Sequence, residues 1–141
     1  NDQTPEAPQE ISDNFLTVGA LNFDYGSQLV ADFSNYGKTN IDVFAPGTKI
    51  WSTTPNNEYE YLQGTSMASP AVAGVAAIIR SFYPKLSAAQ VKQIIMDSGL
   101  TTNANVIVGG DRSNTKDFKE LSTSGKMVNL YNALILASQT K

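Results

Sequence analysis

Three features of the sequence predict an α/β fold for this 141-residue chain. Up to residue 62 the apolar residues fall in short β-rich runs separated by turn clusters, as strands require. Beyond residue 61 the spacing changes to helical, first in "PAVAGVAAIIRSF" and again in "LSAAQVKQIIMDSG" and "VNLYNALILASQ". Hydrophobic residues make up 41% of the chain and charged residues only 16%, enough apolar surface for one domain with a buried core.

Taken in order, residues 1–10, "NDQTPEAPQE", are polar with two prolines and are expected to be an extended lead-in or linker. The fold proper then occupies residues 11–141. Strands are expected in "FLTVGAL", "QLVADF", "IDVFAP", "KIWSTT" and "YEYL". "SNYGKTN" supplies a turn, and Pro46-Gly47 suits the central positions of a type II turn. Val72, Val75, Ala76, Ile79 and Phe82 follow helical spacing, while Ala71, Ala73, Ala77 and Ile78 make the other faces apolar too, which predicts a central helix. In the next helix Ser87 and Gln90 form a capping box, Leu86 and Val91 a hydrophobic staple, and Gly99 stands just past the end. Its core stripe is Val91, Ile94 and Ile95, with Lys92 and Gln93 expected to face water. Leu130, Ala133, Leu134 and Ala137 mark the last helix. The long polar stretch before it reads as surface, and "VIVGGDRSNTK" as a β-turn without the spacing of a phosphate loop.

Composition removes several classes of function. A net charge of −3 and ten scattered Lys and Arg residues give no basic surface for nucleic acid. There is no cysteine, hence no disulfide framework or thiolate site. The longest apolar run, residues 70–79, is too short to span a bilayer, and the first residues lack a basic-then-apolar signal pattern, so a chain without a membrane span is expected. Nor is there any histidine, the usual general base for a serine nucleophile and the usual metal ligand.

The stretch "YLQGTSMASPAVAGVAAIIR" carries the chemistry. It sets hydroxyls and a proline directly before an apolar helix. A serine at such a mouth is most often a cap, accepting a hydrogen bond from an orphan N–H and contributing about 1 kcal/mol. Here Gly64 permits close backbone approach, Pro70 falls near the first turn, and a rigid helix presents its positive end to the serine hydroxyl. Such an end can stabilise a developing oxyanion.

At these residues the chain resembles the subtilisin-like serine proteases, the subtilases (peptidase S8). Ser66 in "GTSMASPAVAGVAA" falls on the family's nucleophile and oxyanion-donating N–H, with Gly64, Thr65 and Met67 as motif neighbours. The resemblance continues through "NFLTVGAL", "FSNYG", "DVFAPGTKIWST" and "LSAAQVKQIIMDSG", and more weakly through "VNLYNAL". Ala71 stands where the family commonly has histidine, and Gln63 where it often has asparagine. It implies the C-terminal part of a three-layer fold, with a mostly parallel sheet and a buried central helix starting at the nucleophile. It also implies "FSNYG" and the strand before "QGTS" as walls of a substrate cleft.

The family's order along the chain is aspartate, histidine, oxyanion-hole asparagine, serine, which places the first three before Asn1. Asn14 lies too near the "LTVGA" strand for the asparagine role, and Asp24, Asp32 and Asp42 read as turn or surface carboxylates. The resemblance thus implies a portion of a secreted endopeptidase, extracellular or of the cell envelope, acting on polypeptides and inert without its upstream half. Its partners would be that half or a second copy of the chain. No cofactor is evident; the resemblance implies calcium only for the parent. Two alternatives remain: a non-catalytic subtilase domain used for protein binding, and an enzyme whose base is an upstream glutamate.

Overall fold

The computed structural model describes residues 14–140; the polar lead-in over residues 1–10 lies outside them. At its centre β1 (Val18–Leu21) and β2 (Val43–Pro46) pair in parallel, with Val18 opposite Val43 and Leu21 opposite Pro46. Residues alternate between the faces of a strand. Val18, Ala20, Val43 and Ala45 therefore look one way, and Gly19, Leu21 and Phe44 the other. A side chain at residue 19 would overlap the Phe44 ring, so glycine there lets that ring lie across the strand.

Among the described residues parallel pairing is confined to β1–β2 and a further bridge from Phe44 to Met127, which in turn bridges Leu100 in antiparallel fashion. The other strands form antiparallel hairpins: β3 (Ile50–Thr54) with β4 (Glu58–Leu62), and β5 (Asn105–Val108) with β6 (Asp111–Asp117). The expected strand in "QLVADF" is reduced to one bridge, Leu21 to Val30. There the chain turns back, and the Ser34 hydroxyl accepts the Ala20 N–H at 2.8 Å where a ladder partner would otherwise sit.

On the first face lie α1 (Thr65–Phe82), α2 (Ala88–Ser98) and α3 (Leu130–Gln139). Ala68, Val72, Val75 and Ile79 of α1 pack with Ala20, Val43 and Ala45, and with Val91, Ile94 and Ile95 of α2. The capping box of α2 is present in both directions: the Gln90 N–H donates to Ser87 Oγ at 3.2 Å, and the Ser87 N–H to Gln90 Oε1 at 2.8 Å. Gly99 does follow α2, but with φ −62 it is no left-handed cap; a Cβ there would come within 2.5 Å of the Met127 carbonyl. Asn129 caps α3 through the Asn132 N–H at 2.8 Å.

The opposite face is covered by the stretch expected to be surface. Val106, Val108, Phe118 and Leu121 are fully buried against Leu21, Val30 and Phe44, with the Phe44 and Phe118 rings 5.4 Å apart. The turn of this hairpin was legible, since Gly109 and Gly110 both take positive φ (64 and 70) as a two-residue hairpin loop of type I′ requires. Its burial was not, because the apolar surface it covers belongs to Phe44. The parallel pair is thus buried on both sides, as such strands normally are.

Although α1 is apolar all round, only one side of it is covered among the described residues. Ala73, Gly74, Ala77, Ile78 and Phe82 are exposed, Phe82 to 70%.

Candidate active site

The site is assembled at the C-terminal ends of β1 and β2. Leu21 O accepts the Gly47 N–H at 3.0 Å, and Gly47 O accepts the Gly64 N–H at 2.8 Å, so the start of α1 hangs from the sheet by two backbone bonds. Gly47 is not at positive φ, which corrects the type II turn expected at Pro46-Gly47. What requires glycine there is crowding, since a Cβ would lie 2.6 Å from Ala20 Cβ and 3.0 Å from Gly64 O. Gly64 shows the converse. Added bulk would meet only the Ser66 nitrogen at 3.7 Å, but φ 145 and ψ 162 lie where L side chains are strained.

Thr65, Ser66 and Met67 then make the first turn of α1. Gly64 is the N-cap residue and no side chain caps the helix; the Met67 N–H donates to Gly64 O at 2.9 Å. Ser66 is the second helical residue and does not cap. Among the described residues neither its N–H nor its Oγ has a hydrogen-bond partner. No acidic residue lies in the first turn, so the partial positive charge of an 18-residue helix is left uncompensated beside an exposed hydroxyl. Pro70 sits beyond the first turn, inside the helix. Having no N–H, it withdraws the donor that the Ser66 carbonyl would use one turn on.

Beside Ser66 opens a recess of about 440 Å³ lined by Thr65, Ser66, Ser69 and Pro70 and by residues 15–18. It continues, through the shared Leu16, Val18 and Ser69, into a furrow of about 260 Å³ between α1 and α2. Neither "FSNYG" nor β4 lines the recess.

Residues 15–17 are held by a charged clamp that sequence reasoning missed. Lys92, expected to face water, is half-buried and donates to the Phe15 carbonyl at 2.6 Å, with its Nζ 3.4 Å from Asp42 Oδ2. The same Asp42 oxygen accepts the Thr17 N–H at 2.9 Å. Asp42 is therefore a structural anchor and not a surface carboxylate, whereas Asp24 and Asp32 are exposed. The only hint in the sequence was opposite charge at two positions of unrelated segments.

No histidine is available anywhere in the chain to deprotonate Ser66. Among the described residues no three carboxylate, histidine or cysteine side chains come together as a group that could hold a metal ion. No described helix is long and apolar enough to cross a membrane.

Comparison with known proteins bears on the family and the fold. The family model described as "Subtilase family" matches residues 1–125. Subtilisin DY of Bacillus licheniformis is 49% identical over 80 residues, which is 57% of this chain and 28% of that protein. The cell wall-associated protease of Bacillus subtilis (strain 168) is 35% identical over 103 residues, or 73% of this chain and 11% of that protein. Among solved structures, the patellamide maturation protease PatA superposes over 91% of this chain and 44% of its own, with a TM-score of 0.68 and 28% identity. The chain thus spans less than a third of these two curated relatives and less than half of this structure.

Proposed function

The chain belongs to the subtilase family, and on that premise we propose that it is the nucleophile-bearing part of a serine endopeptidase. Ser66 Oγ attacks the carbonyl carbon of a peptide bond while its proton passes to a histidine. The tetrahedral oxyanion is held by the Ser66 N–H and by an asparagine side chain. The amine leaves with the proton, and water then hydrolyses the acyl-enzyme. The histidine comes from another segment, because this chain has none; the family's order along the chain puts the aspartate and the asparagine with it, in the N-terminal half of the enzyme. One observation carries the reading: a helix N-terminus with no capping side chain and no acid in its first turn, at which neither Ser66 N–H nor Ser66 Oγ has a partner among the described residues.

The exposed side of α1 is the surface on which that half, or failing it a second copy, packs. The enzyme works outside the cell or in its envelope, in keeping with a relative named as cell wall-associated.

A fluorophosphonate probe tests the chemistry. Alone, the chain should neither cleave casein nor take the label, since a serine hydroxyl without a base is unreactive near neutral pH. Supplied with the aspartate- and histidine-bearing half of a subtilase, it should be labelled, and Ser66→Ala should abolish the label. Stoichiometric labelling of the chain alone would place the base within it. Absence of labelling in the complemented protein would favour a second reading, a non-catalytic domain used for protein binding, to which the lack of histidine also points. Sedimentation tests the packing: a cooperative monomer at micromolar concentration would overturn it.

A further inference from the structure

The β3–β4 hairpin exposes three large aromatic side chains that the proposed chemistry does not use. Trp51 is 59% exposed, Tyr59 60% and Tyr61 69%. Residues opposite one another in an antiparallel ladder share a face. Trp51 faces Tyr61 across the ladder and Thr53 faces Tyr59, so all three rings stand on one side of the ribbon. The Trp51 ring lies 4.7 Å from that of Tyr61 and is stacked with that of Tyr59 at 6.2 Å. On the other side Ser52 faces Glu60 and Thr54 faces Glu58. Both glutamates are exposed, and neither has an ion pair among the described residues.

The hairpin is a two-stranded sheet, so among the described residues no strand pairs with the outer edge of β4. A strand added there would alternate its side chains between an aromatic face and an acidic one. We propose that the outer edge of β4 is a docking strand for an extended segment of the polypeptide substrate in which apolar and basic side chains alternate. The apolar ones lie on Trp51, Tyr59 and Tyr61, and the basic ones lie beside Glu58 and Glu60.

Backbone pairing supplies the register and the two faces supply the selectivity. β4 runs on into Gln63, Gly64 and Ser66, and the stretch from Tyr61 to Ser66 spans at most about 17 Å when extended. A substrate chain on this edge therefore lies a few residues from the bond to be cut. The inference rests on the reading that polypeptides are the substrates, but it concerns binding and needs no hydrolysis.

Trp51 is the sole tryptophan of the chain, so its fluorescence reports this face directly. Titration of the chain with a peptide of about ten residues in which phenylalanine and lysine alternate should shift Trp51 emission to the blue. Anisotropy of the fluorescein-labelled peptide should show saturable binding. Trp51→Ala and Tyr61→Ala should each weaken it about tenfold, as aromatic anchors do, while Trp51→Phe should largely keep it. Glu58→Gln with Glu60→Gln should remove most of its salt dependence. Equal binding by wild type and Trp51→Ala would overturn the proposal. So would a blue shift on raising the protein concentration alone, which would put a second copy on the face, or a shift produced by a soluble polysaccharide and not by the peptide. Failure of Ser66 to take the fluorophosphonate label would leave this result untouched, and failure of the peptide to bind would leave the acyl-transfer reading untouched.

Discussion

α1 and α2 share one core but treat their surroundings in opposite ways. α2 is amphipathic: Val91, Ile94 and Ile95 go inward, Gln93 and Asp97 outward, and Ser87 closes its start with a capping box. Its cap and its core contacts lie within this chain. α1 has no side-chain cap, carries a proline in its interior, and is apolar on the side that nothing described covers. A helix this poorly furnished at its start draws its stability from packing, and its side bearing Ala73, Ala77, Ile78 and Phe82 is not packed among the described residues. The contrast separates a helix shaped only by folding from one that leaves a hydroxyl, an N–H and an apolar side free for something else.

Four measurements would break or sharpen this contrast. The largest effect is expected inside α1. Ile79→Ala on the buried side should cost about 2–5 kcal/mol, seen as a lowered urea midpoint at unchanged slope. Ile78→Ala, one residue away and 37% exposed, should cost less than about 0.5 kcal/mol in the chain alone. Equal losses would show that the outer side is covered after all. Next comes the clamp from α2 to the wall of the Ser66 recess. Lys92→Met should cost about 1–3 kcal/mol and speed amide exchange at Thr17, whose N–H is held by Asp42. Lys92→Arg should retain most of both.

The two helix starts give a smaller pair of effects. Ser87→Ala should cost about 1 kcal/mol, but Ser66→Ala should stay within about 0.5 kcal/mol of zero, because Ser66 caps nothing. A loss at Ser66 as large as that at Ser87, in thermal or urea unfolding, would return Ser66 to a capping role. The smallest effect lies far from both helices. The Asp111 carboxyl is held below its ordinary value of 3.8, first by the Ser113 hydroxyl and then by the Ser113 N–H. A lowered folded-state value adds stability above the ordinary value, and that contribution is lost as pH falls through the folded-state value. A carboxyl NMR titration should therefore find Asp111 below its ordinary range, and Ser113→Ala should raise it. Resonances of α1 and α2 should not follow it.

α2 was legible almost residue by residue because its signals are local: cap, staple and stripe lie within a few turns of chain. The strands around Gly19 and Phe44 were legible in kind, from short β-rich runs between turns. The glycines were found, but for exchanged reasons. Gly47 looked like a turn residue and is required by crowding; Gly64 looked like a point of close approach and is required by its φ. Crowding involves Ala20 and Gly64, atoms brought in from elsewhere, and no dipeptide rule contains them. The polar stretch after α2 failed for a similar reason, since Val106 and Phe118 are buried against Leu21, Val30 and Phe44, all far from them in sequence.

By itself, then, the sequence determined the α/β alternation, the three helices, the Gly109-Gly110 turn, and the "GTSMASP" stretch that puts Ser66 at a helix start. Periodicity, capping and turn chemistry are properties of neighbours along the chain, and a motif is a string. Tertiary structure alone decided which side of α1 is buried, why residues 47 and 99 must be glycine, and that Lys92 grips a carbonyl 77 residues away and not solvent. Those outcomes depend on which surfaces meet when the parallel pair is covered on both faces, and a pair of residues that far apart leaves no spacing to read.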